Sequence, residues 1–284
     1  MVSKFDSGRG YGFSQGRLTV SPGGQLQCFP QDEWRAEFIN AGRLGCSFIE
    51  LLIERERNPN NPLWTSSGRK EIIGLCANNG LVPYSICLDY IIDNSLLDDP
   101  DKESWQSISE CLEVASELNC QIVVLPLLEE SSLNTENLIS MVNVVTEAGL
   151  LAAKHDIQLC IETLLPADEL NKFIDMIDLE NVKAVFDTGN RVVENPDLSA
   201  EIIELAGNIG HVHIKDKDRF ANNVVLGSGL VDFCGVFSAL DKINYQGPLN
   251  FETNRGSLPL DTAKFNITLC EFFSCNYRNS IVSN

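Results

Sequence analysis

Four short apolar runs in the second half of the chain each carry an acid or a histidine near their C-terminal end. They are I-Q-L-C-I-E-T over Ile157–Thr163, V-K-A-V-F-D-T over Val182–Thr188, G-H-V-H-I-K-D over Gly210–Asp216 and G-P-L-N-F-E-T over Gly247–Thr253. Side chains of a strand alternate with period two, so His211, His213 and Lys215 share one face. The four runs then end in Glu162, Asp187, His213 and Glu252. A carboxylate at the end of a buried strand carries a desolvation cost that a surface acid avoids. A divalent cation removes that cost. Three carboxylates and one imidazole, with positions left open for water or substrate, suit Mn, Mg, Co or Zn. Taken singly, each acid also reads as a solvated loop residue or a helix N-cap. Four in register point jointly to one divalent metal site.

The elements that must position these residues follow from periodicity. Strands are expected over Gly10–Gln15, Cys46–Ile53, Val82–Leu88 and Gln121–Pro126, ahead of the four runs above. Helices are expected over Asp32–Leu44 (apolar face Trp34, Phe38, Ile39, Ala41), Ser66–Asn79 closed by Gly80, Glu103–Asn119 and Asn134–Lys154. Further helices are expected over Ala167–Ile177, Leu198–Ala206, Phe233–Ile243 and Asp261–Phe273. Eight strands, each followed by a helix, give the pattern of an α/β protein with a single (β/α)8 TIM-barrel domain over 1–284, with 1–9 and 276–284 as loose termini. A barrel of this kind forms its active site where strands end and βα loops begin, which is where the four candidates fall. A doubly wound open sheet shares much of the pattern, but no G-x-G-x-x-G follows the first strand.

Composition narrows the function classes. Net charge is −19, from 40 acids against 21 Lys plus Arg. That balance argues against a nucleic-acid partner and favours a cation. No apolar run approaches a bilayer span and the N-terminus has no signal-peptide core, so no membrane partner and a cytoplasmic location are expected. The ten cysteines lie scattered in apolar runs, as Cys46, Cys87, Cys120 and Cys160 do, without a C-x-x-C pair. They read as reduced core thiols. Homo-oligomerisation is left open: the loop aromatics Phe29 and Trp64 suit either a neighbouring copy or the cap of their own barrel.

The series I-E-T, F-D-T-G-N, H-V-H-I-K-D and N-F-E-T, with Q-G-R-L after the first strand and G-x-G over Gly227–Gly229, resembles the xylose isomerase-like barrel superfamily. Within it the likeness is to the sugar-phosphate isomerase/epimerase group that includes the ketose 3-epimerases. The resemblance implies a metal held by Glu162, Asp187, His213 and Glu252, binding two neighbouring oxygens of an open-chain sugar or sugar phosphate. It further implies that Glu162 and Glu252 move a proton beside the carbonyl, through a metal-stabilised enediolate. Exchange between the two glutamates gives epimerisation; return by one base to the adjacent carbon gives isomerisation.

Arg219 matches a substrate-contacting arginine of the epimerases, and Asn190 stands where they commonly carry a histidine. Arg17, Lys215, Lys217 and Arg255 are candidates for binding a phosphate or carboxylate at the barrel mouth. Glu50 reads either as a ligand to sugar hydroxyls or as an acid that supports a metal ligand from behind, and His211, one layer deeper than His213, as a supporting residue. The rival readings are a dehydratase of a keto-polyol such as a keto-inositol, in which the enediolate expels a β-hydroxyl, and a sugar-binding barrel without turnover. An endonuclease of the same superfamily is disfavoured by three histidines and the acidic charge.

Overall fold

The computed structural model describes residues 10–20, 25–99 and 101–282. The expected loose lead-in 1–9 and the Pro22–Gly24 loop lie outside them. Eight strands run parallel and close on themselves: β1 (Tyr11–Ser14), β2 (Phe48–Ile53), β3 (Ser85–Leu88), β4 (Ile122–Pro126), β5 (Gln158–Glu162), β6 (Val182–Asp187), β7 (Ile209–Ile214) and β10 (Leu249–Phe251). Closure joins β1 to β10, where Tyr11, Gly12 and Phe13 pair with Leu249, Asn250 and Phe251. Phe13 and Phe251 stack there, with ring centroids 4.9 Å apart. The expected barrel is therefore present, and an open doubly wound sheet is not.

Between the strands run α1 (Trp34–Leu44), α2 (Ser66–Asn79), α4 (Glu103–Leu118), α5 (Leu138–Ala153), α6 (Ala167–Ile177), α8 (Leu198–Leu205), α9 (Phe233–Lys242) and α10 (Pro259–Val282). Each lays an apolar stripe on the barrel; α6, for example, buries Leu170, Phe173, Ile174 and Ile177. Caps set several ends. The Thr65 side chain accepts the Gly68 N–H at 3.0 Å to start α2, and Gly80 at φ +70° ends it, as its position predicts. In α1 the inward face is Trp34, Glu37, Phe38 and Ala41, while Ile39 is exposed, contrary to the expected face. Residues three, four and seven positions on from Trp34 point inward; Ile39, five positions on, does not. At the C-terminus α10 continues to Val282, past both the expected helix end at Phe273 and the start of the expected loose tail at 276.

Three elements were not legible as such: the short helices α3 (Tyr90–Asp93) and α7 (Thr188–Glu194), which begin where β3 and β6 end, and the hairpin of β8 (Asp216–Lys217) with β9 (Asn223–Val224). No helix of the described residues is long and apolar enough to cross a membrane. Cys46, Cys87, Cys120 and Cys160 are buried free thiols, as core thiols should be.

Two apolar clusters result. The larger lies between strands and helices. The smaller fills the barrel itself with Leu52, Cys87, Ile122, Val124, Cys160 and Val185. Period-two alternation places Glu162 two residues beyond Cys160 and Asp187 two beyond Val185, on the same inward face and at the C-terminal rim. The register puts Asp187 opposite His213 and Asn250 opposite His213 from the other side.

Candidate metal centre

β10, β7, β6 and β5 are consecutive in the barrel, so Glu252, His213, Asp187 and Glu162 form an arc along one side of its mouth. His213 Nδ1 faces all three acids: it lies 3.5 Å from Glu252 Oε2, 3.7 Å from Asp187 Oδ2 and 3.9 Å from Glu162 Oε2. Ligands held at about 2.1 Å from one cation sit roughly 3.0–3.5 Å from each other. His213 Nδ1 and Asp187 Oδ2 are moreover buried polar atoms without a hydrogen-bond partner. His213 Nε2, which faces Glu50, is a third such atom; the donor set, with Nδ1 and Oδ2 facing one another at the rim, thus fits a divalent cation. A ligand atom each from Glu162, Asp187 and His213 lies within 4.8 Å of the others, a grouping that can hold a metal ion.

Asp187 is in addition a helix N-cap. Its Oδ1 accepts the Asn190 N–H at 2.7 Å and starts α7, which leaves Oδ2 facing the imidazole. One residue does both tasks because its two carboxylate oxygens point to different partners. Behind His213, Glu50 Oε1 lies 3.0 Å from Nε2, and Glu50 Oε2 lies 2.9 Å from His211 Nε2. Glu50 also accepts from Ser85 Oγ at 2.9 Å and Asn250 Nδ2 at 2.8 Å. Its oxygens are thereby committed to neighbours in the barrel, which fits support of His213 from behind better than contact with sugar hydroxyls. His211 is fully buried, one layer deeper than His213.

Lys215 is placed differently from a substrate-anion ligand. Its Nζ donates to Glu252 Oε2 at 2.7 Å and forms an ion pair with Asp187 Oδ2 at 2.9 Å, out of line for a hydrogen bond. The ammonium therefore bridges two of the four candidate ligands. Gly189 makes room for it, since a Cβ there would come within 2.3 Å of Lys215 Cγ.

Arg17 donates to the Leu26 carbonyl, to Gln27 Oε1 at 2.6 Å and to Glu252 Oε1 at 3.2 Å. Arg255 donates to the carbonyls of Gly16, Gln25 and Leu26 at 2.5, 2.7 and 2.8 Å. Both shape the loop after β1 instead of offering open charge. Asn190 does reach the centre: its Nδ2 donates to Glu162 Oε1 at 2.7 Å and its Oδ1 accepts from Lys217 Nζ at 2.8 Å. Arg219 does not line the cavity. It is exposed in the β8–β9 turn, its guanidinium 4.6 Å from the Phe220 ring.

Charge separates the two glutamates. Burial, reinforced by Asp187, pushes the Glu162 carboxyl up to about 7. For Glu252 burial acts the same way but is outweighed by the Lys215 ammonium, His213 and Arg17, which hold it well below the usual range. Burial opposes charge on His213 too, yet Glu50, Asp187 and Glu252 raise its pKa well above the ordinary imidazole value. For His211 burial prevails over Glu50 and lowers the pKa, leaving a neutral ring against the carboxylate.

Residues that sequence reading missed complete the mouth. Asp89, N-terminal to α3, is buried, and burial pushes its carboxyl up to about 6. Glu37 accepts from Gly16 N at 2.8 Å, Leu18 N at 3.0 Å and Thr19 Oγ1 at 2.5 Å, and so fixes the Arg17 loop. The signal for Glu37 was available: it stands three residues after Trp34, on the inward stripe. Asp216 gathers the G-x-G segment, accepting from Gly227 N and Gly229 N at 2.9 Å each. Phe29 is buried, 6.5 Å from the Trp34 ring, and the Arg57 guanidinium lies 4.4 Å from the Trp64 ring centroid, so both touch residues of their own chain.

A closed parallel barrel with acids and an imidazole at the C-terminal rim defines a (β/α)8 protein with a metal-type site. The chain belongs to the xylose isomerase-like TIM barrel family, which it matches over residues 38–268. An L-ribulose 3-epimerase of Methylomonas sp. is 32% identical over 98 residues, covering 34% of this chain and 32% of the relative. An inosose dehydratase of Clostridium perfringens is 27% identical over 146 residues, covering 45% of this chain and 48% of the relative. This chain thus spans less than half the length of those relatives. The crystal structure of D-psicose 3-epimerase from Clostridium cellulolyticum superimposes with a TM-score of 0.75 at 15% identity, covering 93% of this chain and 99% of that one. Both relatives are enzymes, by name an epimerase and a dehydratase, that act on sugars or inososes.

Proposed function

We propose that this protein is a divalent-metal-dependent sugar epimerase or isomerase that moves a proton at the carbon beside a carbonyl. The observation that carries the reading is the convergence of Glu162, Asp187, Glu252 and His213 Nδ1 within one arc of the rim. These four residues would hold Mn, Co, Mg or Zn, and the ion would supply Lewis-acid stabilisation of negative charge on a substrate oxygen. Glu162 and Glu252 terminate the arc, so carboxylates approach a substrate from two strands. One takes the proton and the other returns it, which is the requirement for inversion at carbon. Asn190 holds Glu162 by a hydrogen bond, and Lys215 and Arg17 hold Glu252. Glu50 fixes the ring of His213 from behind.

A second reading, loss of water from a keto-polyol, is favoured by one observation: the match to the inosose dehydratase covers more of this chain than the match to the ribulose epimerase. The first step, proton removal beside the carbonyl, is common to both. Uptake of deuterium from solvent into a panel of ketoses and inososes tests that step, and the product separates the readings: a new stereocentre for an epimerase, a dehydrated ketone for a lyase. Glu252→Gln abolishes exchange if the assignment holds. Undiminished exchange in that variant overturns it.

A further inference from the structure

The metal cavity has a volume of about 220 Å³, and a larger groove of about 590 Å³ adjoins it. The two share Gln27, Arg55 and Asp89 in their linings, so they lie side by side. We infer that the groove is a second subsite for a neutral polyhydroxylated unit, so that the preferred substrate is a glycosylated ketose whose reacting sugar sits at the metal centre. This inference rests on the proton-transfer reading above.

Three observations carry it. First, the groove wall at Gln25–Gln27 is built by buried cations. Arg255 donates to the Gln25 and Leu26 carbonyls, and Arg17 donates to the Leu26 carbonyl and to the Gln27 side chain. The same Arg17 touches Glu252, so the wall and the reacting end are tied through one side chain. Second, the lining has the wrong charge for a phosphate. Glu54, Glu56, Asp89 and Asp93 face a single arginine, Arg55. Its guanidinium is already committed to Asp93 at 2.6 Å and to Glu129 at 2.6 and 2.9 Å. At the metal end, Lys215 is spent on Glu252 and Asp187. A phosphoryl group entering here meets acids and, among the described lining residues, only a guanidinium already committed to carboxylates, whereas hydroxyls meet carboxylate acceptors and the Gln25 amide. Third, burial holds the Asp89 carboxyl up near 6 at the junction, and a desolvated carboxyl of that kind gains from a neutral donor such as a sugar hydroxyl.

Binding energy from a part of the substrate remote from the reacting carbon raises kcat/KM when it positions that carbon. The test measures solvent-deuterium uptake by the manganese-loaded full chain with D-fructose, fructose 6-phosphate, lactulose and isomaltulose. The glycosylated ketoses are expected to exceed fructose by roughly tenfold or more in kcat/KM, with the phosphate below fructose. Two variants outside the metal centre fill or recharge the groove: Asn58→Phe and Glu56→Lys. Asn58→Phe should bring the glycosylated ketoses down to the fructose value while fructose itself is unchanged, and Glu56→Lys should narrow the deficit of the phosphate. Equal turnover of free and glycosylated ketose, preference for the phosphate, or a glycoside preference that survives Asn58→Phe would each overturn the subsite while leaving the proton-transfer reading standing. Absence of exchange in every ketose by metal-loaded protein would instead overturn the proton-transfer reading, and the subsite with it.

Discussion

Lys215→Met removes the ammonium that bridges Asp187 and Glu252, and its effect can be worked from the two contacts of 2.9 and 2.7 Å. At an effective dielectric constant of about 20, each contact carries roughly 6 kcal/mol of gross attraction. Desolvation of the buried ammonium cancels several kcal/mol of that sum, and removal of one partner from a buried ion pair typically costs about 3–5 kcal/mol. For a domain of this size the metal-free variant should therefore melt lower than wild type by on the order of 10 °C. Methionine has a similar reach and no charge, so the loss is electrostatic more than steric. A divalent ion that takes the same two oxygens replaces the missing charge. At a hundred times its dissociation constant it returns about 2.7 kcal/mol. The assay is thermal melting of both proteins in chelator and in excess manganese. Manganese should raise the Tm of Lys215→Met by more than it raises that of wild type. Equal Tm values in chelator, or equal manganese shifts in the two proteins, would refute the idea that lysine and metal serve the same carboxylates.

Other perturbations test separate parts of the site. Asp187→Ala should abolish retention of divalent metal by protein purified without chelator, measured by elemental analysis, and should cost about 1 kcal/mol of additional stability through the lost cap of α7. Gly189→Ala forces its new methyl against Lys215 and should destabilise the protein by about 1–3 kcal/mol in urea titration. Glu201→Ala strands the buried Arg191, which holds the Thr163 and Leu165 carbonyls just past Glu162; about 3–5 kcal/mol should be lost in the same assay. Asp89 has a folded-state pKa raised from 3.8 to about 6, so its contribution is present below the unfolded value and is lost as pH rises through the folded one. Between pH 4 and pH 7 the stability of Asp89→Asn relative to wild type should accordingly shift by up to about 3 kcal/mol in favour of the variant.

The barrel was readable because its eight strands are short apolar runs of uniform polarity pattern, separated by helices whose stripes are equally plain. The strand-end residues were readable for the same reason: alternation alone sets Glu162, Asp187 and His213 on the inward face. What lay beyond reach was the direction of long charged side chains. Arg17 and Arg255 stand where an anion-binding cation would stand in the sequence, yet their hydrogen bonds turn to backbone carbonyls of a loop whose path is not encoded locally. Lys215 shares the face of His213 as period two demands, but only the register of β6 against β7 brings Asp187 into its reach. The helix α7 escaped notice because F-D-T-G-N has a glycine in its first turn and no apolar stripe of its own. Its start depends on the Asp187 cap, a contact between a side chain and a backbone N–H three residues away.

The arc of four adjacent strands divides the molecule by labour as well as by sequence. All four candidate ligands come from residues after 157, whereas the common wall of cavity and groove, Gln27, Arg55 and Asp89, comes entirely from residues before 100. The C-terminal half-barrel would then act as a reaction module and the N-terminal half as a recognition module, joined along the β4–β5 and β1–β10 seams. Exchange of the first half between members of such a family would redirect which compound is taken up without altering the bond that is attacked, provided Glu50 and Arg17, which hold His213 and Glu252, are retained. Changes confined to the second half would act on the chemistry, except at Arg255, which also holds the Gln25 and Leu26 carbonyls of the groove wall.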